Sequence, residues 1–281
     1  MLWPPSSCRI VPSRAAAVAE SVGPSWAITS CLRRRPSRRP CPSGLRPVSG
    51  CSFAKTGTLA LISHLDLVRL LERALRRSGL PVSFTGGFHP LPRLQVALAL
   101  PLGVEGLGEW LDLEFLQPLP PEQIRQALQA QLPAELQLLS AVAVPVAGPS
   151  LSQELAVADW ELAVRCLPAG ADADPHRWPS GAQWQAALTA LLAAPQLPWE
   201  DTDKKGRPRQ RDCRPWLLSL AGHGGQEGEA RLPLQLQYSA AIDPQGRSLR
   251  PQQLLHWLGL ELGVSLEPQL QRRRALRLRA C

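Results

Sequence analysis

The chain has no run of about eighteen uncharged apolar residues, so the sequence argues against a membrane-spanning helix. Its seven cysteines, Cys8, Cys31, Cys41, Cys51, Cys166, Cys213 and Cys281, include no two at the short spacing of a zinc or redox motif. Reduced thiols in a cytoplasmic protein are therefore expected rather than a disulfide framework. There is no Walker loop, no GxGxxG, no nucleophile elbow and no HExxH, which excludes the commonest sequence-legible nucleotide, hydrolase and zinc-protease sites. Ser63, His64 and Asp66 lie side by side in sequence, a spacing that does not make a catalytic triad. No metal site and no cofactor are expected in this chain.

Acidic residues are scarce at the start. Residues 1–50 hold eight arginines and one acid, Glu20, and so account for seven of the eight net positive charges of the 281-residue chain. The remainder is close to neutral, so a basic surface there must come from local clustering rather than bulk charge. Rich in Arg, Pro and Ser and lacking a hydrophobic period, residues 1–51 read as a disordered tail. A basic nucleic-acid arm, a targeting segment and a misassigned upstream start are the three readings, the last preferred; the first would need charge interleaved with aromatics, and only Trp3 and Trp26 are present.

From Ser52 the pattern becomes regular. Phe53–Ile62 alternates like a strand, Ser63 caps a helix with Asp66 three residues on, and Leu67, Leu70, Leu71, Ala74 and Leu75 form its buried stripe. Strands are predicted at 81–85, 94–100, 110–116 and 136–144, with a helix over 122–131 opened by Pro120-Pro121. After a linker around 147–152 come a strand at 155–167, a helix at 183–193, a charged hairpin at 199–211, a short element at 215–221, a loop at 224–229, a strand at 232–242, a helix at 249–262 and a strand at 270–279. Both parts follow the split βαβ order. The expected class is α+β: two ferredoxin-like halves, 52–147 and 153–281, with antiparallel sheets and helices on one face. Trp110, Trp160, Trp184 and Trp257 fall on core positions.

Three constellations can carry chemistry. In the first, Lys55, His64, Asp66, Arg69, Arg73, Arg76 and Arg77 crowd a strand end and a helix N-terminus. Free N–H groups and guanidinium forks suit phosphate there, near Ser63; the blander reading is a capped helix with a solvated basic face. The second is the turn Gly86-Gly87-Phe88-His89-Pro90, followed by Pro92 and Arg93. Paired glycines allow close backbone approach, and an aromatic can stack on a base. Phe88 taken alone reads as a plug in the core, whereas Gly87, His89 and Arg93 together read as a site. The third runs from Lys204 and Lys205 through Asp212 to Arg214 and Pro215, either a phosphate-contacting hairpin or a loop ordered by Asp212 and Arg214. His64, His89 and Asp66 are the candidate catalytic groups should His64 and His89 meet in space.

The SHLD stretch with Ser63, His64 and Asp66, the Arg76-Arg77-Ser78-Gly79 run, the GGFHPLPR turn and the Lys204-Lys205-Gly206…Asp212-Cys213-Arg214-Pro215 segment resemble the radical-SAM-linked protein family. These are uncharacterised domains found beside, or fused behind, cobalamin-binding-type radical SAM proteins. The resemblance spans Ser52 to the end and is strongest over 53–109 and 204–215. It implies an accessory module whose partner is a radical SAM protein. The three-Cys cluster that would hold that enzyme's iron–sulfur centre is missing from this sequence. The resulting expectation is a cytoplasmic module, without membrane contact, that binds RNA (tRNA or rRNA) or presents a substrate. The alternatives are an RNA-processing enzyme using His64 and His89, and a protein-interaction scaffold.

Overall fold

The computed structural model describes residues 48–144, 149–167, 178–202, 206–227 and 230–279. The expected tail lies outside these residues except for 48–51, which already belong to the first strand, so the boundary at residue 52 is corrected to 48. β1 (Val48–Lys55) also stops sooner than the alternation suggested. Gly57, at φ 59°, opens a 3-10 turn over Gly57–Leu61. There follow α1 (His64–Arg77), β2 (Leu94–Val96), β3 (Glu105–Glu114), α2 (Pro121–Gln129), β4 (Leu136–Val144) and a one-turn α3 (Leu151–Glu154). The second part runs β5 (Leu155–Leu167), α4 (Gly181–Ala193), β6 (Pro198–Thr202), β7 (Pro208–Asp212), β8 (Leu217–Glu227), β9 (Ala230–Ala241), α5 (Pro251–Leu262) and β10 (Ser265–Leu278).

The strand order bears out the two-half architecture. The first half is ordered β4-β1-β3-β2 and the second β10-β5-β9-β8. Numbered within each half, both read fourth, first, third, second, the ferredoxin-like arrangement. The halves do not form separate sheets, however. β10 joins β3 in parallel, pairing Arg272 with Glu105 and Arg273 with Gly106, and makes one eight-stranded sheet. β2 shares that edge of β3, at Leu111–Leu113, which accounts for its being three residues long where a strand over 94–100 was expected. The segment 81–85 makes only isolated bridges, Val82 to Phe115 and Phe84 to Pro92. The β6–β7 hairpin forms a sheet of its own.

Two apolar cores form, and the second also takes in Ala97, Leu100 and Val104 of the first half. Leu67, Leu71, Ala74 and Leu75 of α1 and Ile124 and Leu128 of α2 pack on Cys51, Phe53, Leu111 and Leu113. Trp184 and Leu188 of α4 and Leu254, Trp257 and Leu258 of α5 pack with Trp160, Leu162, Leu234 and Leu236. Trp160, Trp184 and Trp257 are buried as expected, and Trp110 is partly so, its indole donating to the carbonyl of Leu276 at 3.1 Å. The predicted loop at 224–229 is instead largely strand, since β8 runs to Glu227 and β9 starts at Ala230. Gly224, at φ 110°, makes this possible. A Cβ there would stand 2.1 Å from the Pro233 carbonyl oxygen, so glycines that read as a loop serve the bulged edge strand.

Candidate functional site

Two carboxylate–guanidinium pairs stitch the seam between the halves. Arg272 donates to Glu105 at 2.6 Å. Arg273 donates from Nε to Glu109 Oε1 at 2.8 Å and from Nη2 to Oε2, and its remaining donors reach the carbonyls of Ala99 and Leu98. Glu109, Arg273 and Lys55 are 1%, 2% and 1% exposed. Lys55, read from the sequence as a phosphate contact, is therefore corrected to a buried residue beside this pair. Burial lowers its pKa, the Glu109 charge opposes that shift, and Arg273 adds to it. Glycine at 106 makes room: a Cβ there would stand 2.6 Å from Glu109 Cγ.

The start of α1 is closed on itself. Asp66 N–H donates to Ser63 Oγ at 3.2 Å, Ser63 Oγ donates to Asp66 Oδ2 at 2.7 Å, and Arg69 donates to Asp66 Oδ1 at 3.3 Å. The Ser63 hydroxyl, helped by Arg69, holds the Asp66 carboxyl below its usual range. The anion expected at this helix end is thus supplied by the chain's own Asp66, satisfying the helix dipole from within. Replacing Ser63 with alanine should cost about 1 kcal/mol of stability, measurable by urea unfolding. The Asp66 contribution is present above the ordinary carboxylate pKa and is lost as pH falls through its lowered value.

His64 is the first residue of α1, its Nδ1 buried without a hydrogen-bond partner. His89 belongs to the other end of that helix, because Arg76 donates to the carbonyl of the adjacent Pro90 at 3.0 Å. The helix rises about 18 Å between residues 64 and 76. The two imidazoles are therefore not brought onto one scissile bond, which corrects the expectation of a shared cleft and of acid–base work by the pair.

What the structure does bring together is the C-terminal half of α1 and the loop over 84–91. Arg69, Arg73 and Arg76, spaced along one stripe, are all exposed. Arg73 has no hydrogen bond or ion pair among the described residues. The Arg76 guanidinium stands 5.7 Å from the centroid of the Phe84 ring. The loop is closed at its base by Thr85 N–H to Leu91 O at 2.8 Å and Leu91 N–H to Thr85 Oγ1 at 3.0 Å. Arg93 donates to the carbonyl of Phe84 at 3.4 Å and lies 3.7 Å from Glu114. At the tip, Gly86 and Gly87 (φ 104°) have open space where a Cβ would stand, and His89 is exposed. Phe88 is fully exposed, which corrects the reading of it as a core plug. Arg77 points elsewhere and donates to the Gln131 carbonyl at 3.0 Å, just past the end of α2.

The third constellation is structural where it is described. Arg214 donates to the carbonyls of Leu192 and Ala194 at the end of α4, at 2.7 and 3.1 Å, and to Leu217 at 2.8 Å. It caps the helix C-terminus and is corrected from phosphate ligand to fold determinant. Asp212 Oδ1 accepts from the backbone N–H of Leu197 and of Arg214, at 2.8 and 2.9 Å, and fixes the loop rather than a pocket. Lys204 and Lys205 lie outside the described residues.

Among the described residues, no group of His, Cys, Asp or Glu is placed to hold a metal ion, and no helix is long and apolar enough to cross a membrane. Cys51 and Cys213 are free and buried, and Cys166 is buried. Burial pushes the Cys51 thiol up to about 12 and the Cys213 thiol to about 11, so neither is a ready nucleophile at neutral pH.

The model of the family described as "Uncharacterized protein conserved in bacteria (DUF2344)" matches residues 50–251, well over half of the chain. No curated protein matches it. Among solved structures, it is similar to a chain of a Cbf5–Nop10–Gar1 complex at TM-score 0.45 and 12% identity, over 81% of this chain and 48% of that one. This chain thus spans about half the length of that one. It is also similar to an unknown protein from Galdieria sulphuraria at TM-score 0.25 and 17% identity, over 79% of this chain and 96% of that one. Neither likeness is close enough to say what this chain does.

Proposed function

We propose that this chain, which belongs to the bacterial family DUF2344, is an accessory module that binds RNA, or presents an RNA substrate, for a radical SAM enzyme acting beside it. The radical SAM partner comes from the sequence resemblance of the SHLD, GGFHPLPR and Asp212–Pro215 segments. The observation that carries the RNA reading is the joined basic surface. Arg69, Arg73 and Arg76 line one stripe of α1, and Arg76 fastens that stripe to a hairpin bearing His89, with Arg93 at its base. Phosphates are held by such guanidinium forks without sequence preference, and the rigid helix sets their spacing. The reading assigns no catalysis to this module, and His64 keeps a place at the helix start, away from the hairpin.

A second surface suits the partner enzyme. Leu61, Leu65 and Leu102 are 70%, 64% and 65% exposed. Gly103 N–H donates to the Ala60 carbonyl at 2.9 Å, which brings Leu102 next to the turn that carries Leu61. Large exposed apolar side chains gathered in this way mark a protein contact, and this one lies at the opposite end of α1 from the hairpin.

The test is binding of the full chain to a labelled single-stranded RNA at several salt concentrations. Three or four phosphate contacts should weaken binding about 20- to 50-fold between 50 and 200 mM salt. No association at low salt, or an affinity indifferent to salt, contradicts the reading.

A further inference from the structure

We infer that Phe88 is a stacking platform for one unpaired nucleobase, so that the RNA taken by this surface is single-stranded at that point; the inference rests on the RNA-binding reading above. The ring is fully exposed, in a described part of the molecule where most large apolar side chains are covered. It is also held in place. The hairpin below it is closed by the Thr85–Leu91 hydrogen bonds, the Phe84–Pro92 bridge and the Arg76 bond to the Pro90 carbonyl. Gly86 and Gly87 carry no side chains, and the space a Cβ would take at either position is empty, so the approach to the ring from that side is open.

The charges beside the ring choose the occupant. Arg76 and Arg93 are bonded to the hairpin, Arg73 lies one turn before Arg76 on the same stripe of α1, and His89 is the next residue. An apolar protein segment seated on Phe88 would take water from these cations and offer no acceptor beyond the Pro90 and Phe84 carbonyls and Glu114 that Arg76 and Arg93 already have. A nucleotide satisfies both parts, offering a flat π-face to the ring and a phosphate to the guanidiniums. A duplex offers only base edges, because its base faces are already stacked on each other. Phe84 and Leu91, 39% and 46% exposed, belong to the same loop, and the Phe84 ring carries the Arg76 guanidinium.

The test compares wild type, Phe88→Ala and Phe88→Leu for binding to a labelled single-stranded RNA and to a blunt RNA duplex of the same length, at two salt concentrations. Phe88 touches no core residue, so thermal melting should be the same for all three proteins. The inference predicts that Phe88→Ala weakens single-strand binding about 5- to 150-fold. Phe88→Leu should restore little of the loss, since an apolar side chain without a π-face cannot stack, and the salt dependence should stay as in wild type. Duplex should bind more weakly than single strand and ignore both substitutions. If wild type binds RNA with steep salt dependence but both variants bind equally well, or if Leu serves as well as Phe, stacking is overturned while the basic-surface reading stands. Equal binding of the duplex overturns the single-strand assignment. If wild type binds no RNA, both readings fall together.

Discussion

Glu109→Ala is expected to destabilise the fold by about 3–5 kcal/mol, the range for removing one partner of a buried ion pair. Glu109 is a buried carboxylate whose neighbours include two buried cations, Lys55 and Arg273. It takes both forks of Arg273, and its charge acts on Lys55. Without it, two positive charges would face each other at the seam where β10 meets β3. That seam has only two paired residues in register, so side chains carry much of the junction. Lys55→Met alone is expected to raise the urea midpoint at pH 7, because it removes a charge that burial already disfavours. The penalty on a lysine with lowered pKa is complete below the folded value and disappears as pH rises to the ordinary 10.5, so the gain from Lys55→Met should shrink in alkali. Combining Lys55→Met with Glu109→Ala should recover part of the loss. An effect of Glu109→Ala below about 1 kcal/mol, as for a surface pair, would mean that water reaches the seam.

Arg214→Ala is expected to cost about 3 kcal/mol and to leave RNA affinity unchanged. The guanidinium gives three hydrogen bonds, two of them to the orphan carbonyls at the end of α4, and bonds from a charged donor are the stronger kind. Losing it leaves those carbonyls half-buried without partners and frees the loop that Asp212 also fixes. Arg214→Lys keeps the charge but not the fork, and should restore less than half of the loss. Urea unfolding and RNA titration on the same preparations check both parts. A variant with normal stability and weakened RNA binding would return Arg214 to the phosphate-binding set.

The helices were legible because their stripes and caps are local. The Ser63 cap, the stripe from Leu67 to Leu75 and the Pro121 start of α2 each need only a few neighbouring residues. The strand order was legible as far as the repeated βαβ pattern reaches. The joining of the halves into one sheet was not, since it depends on Arg273 meeting Glu109 across more than half the chain. The same limit explains Lys55 and Arg214. A basic residue looks alike in sequence whether it faces water, a buried carboxylate or a row of carbonyls. Phe88 misled in the other direction, because hydrophobicity predicts burial and a fully exposed ring breaks that rule. One signal was available: paired glycines before the aromatic lift it clear of the sheet.

Arg73 offers the most direct test of the basic surface, being exposed and without a hydrogen bond or ion pair among the described residues. The measurement is the salt dependence of single-stranded RNA affinity for wild type and Arg73→Ala. The account predicts weaker binding, a slope of log K against log salt shallower by about 0.7, as for one lost phosphate contact, and an unchanged melting temperature. Identical slopes and affinities for the two proteins would contradict it.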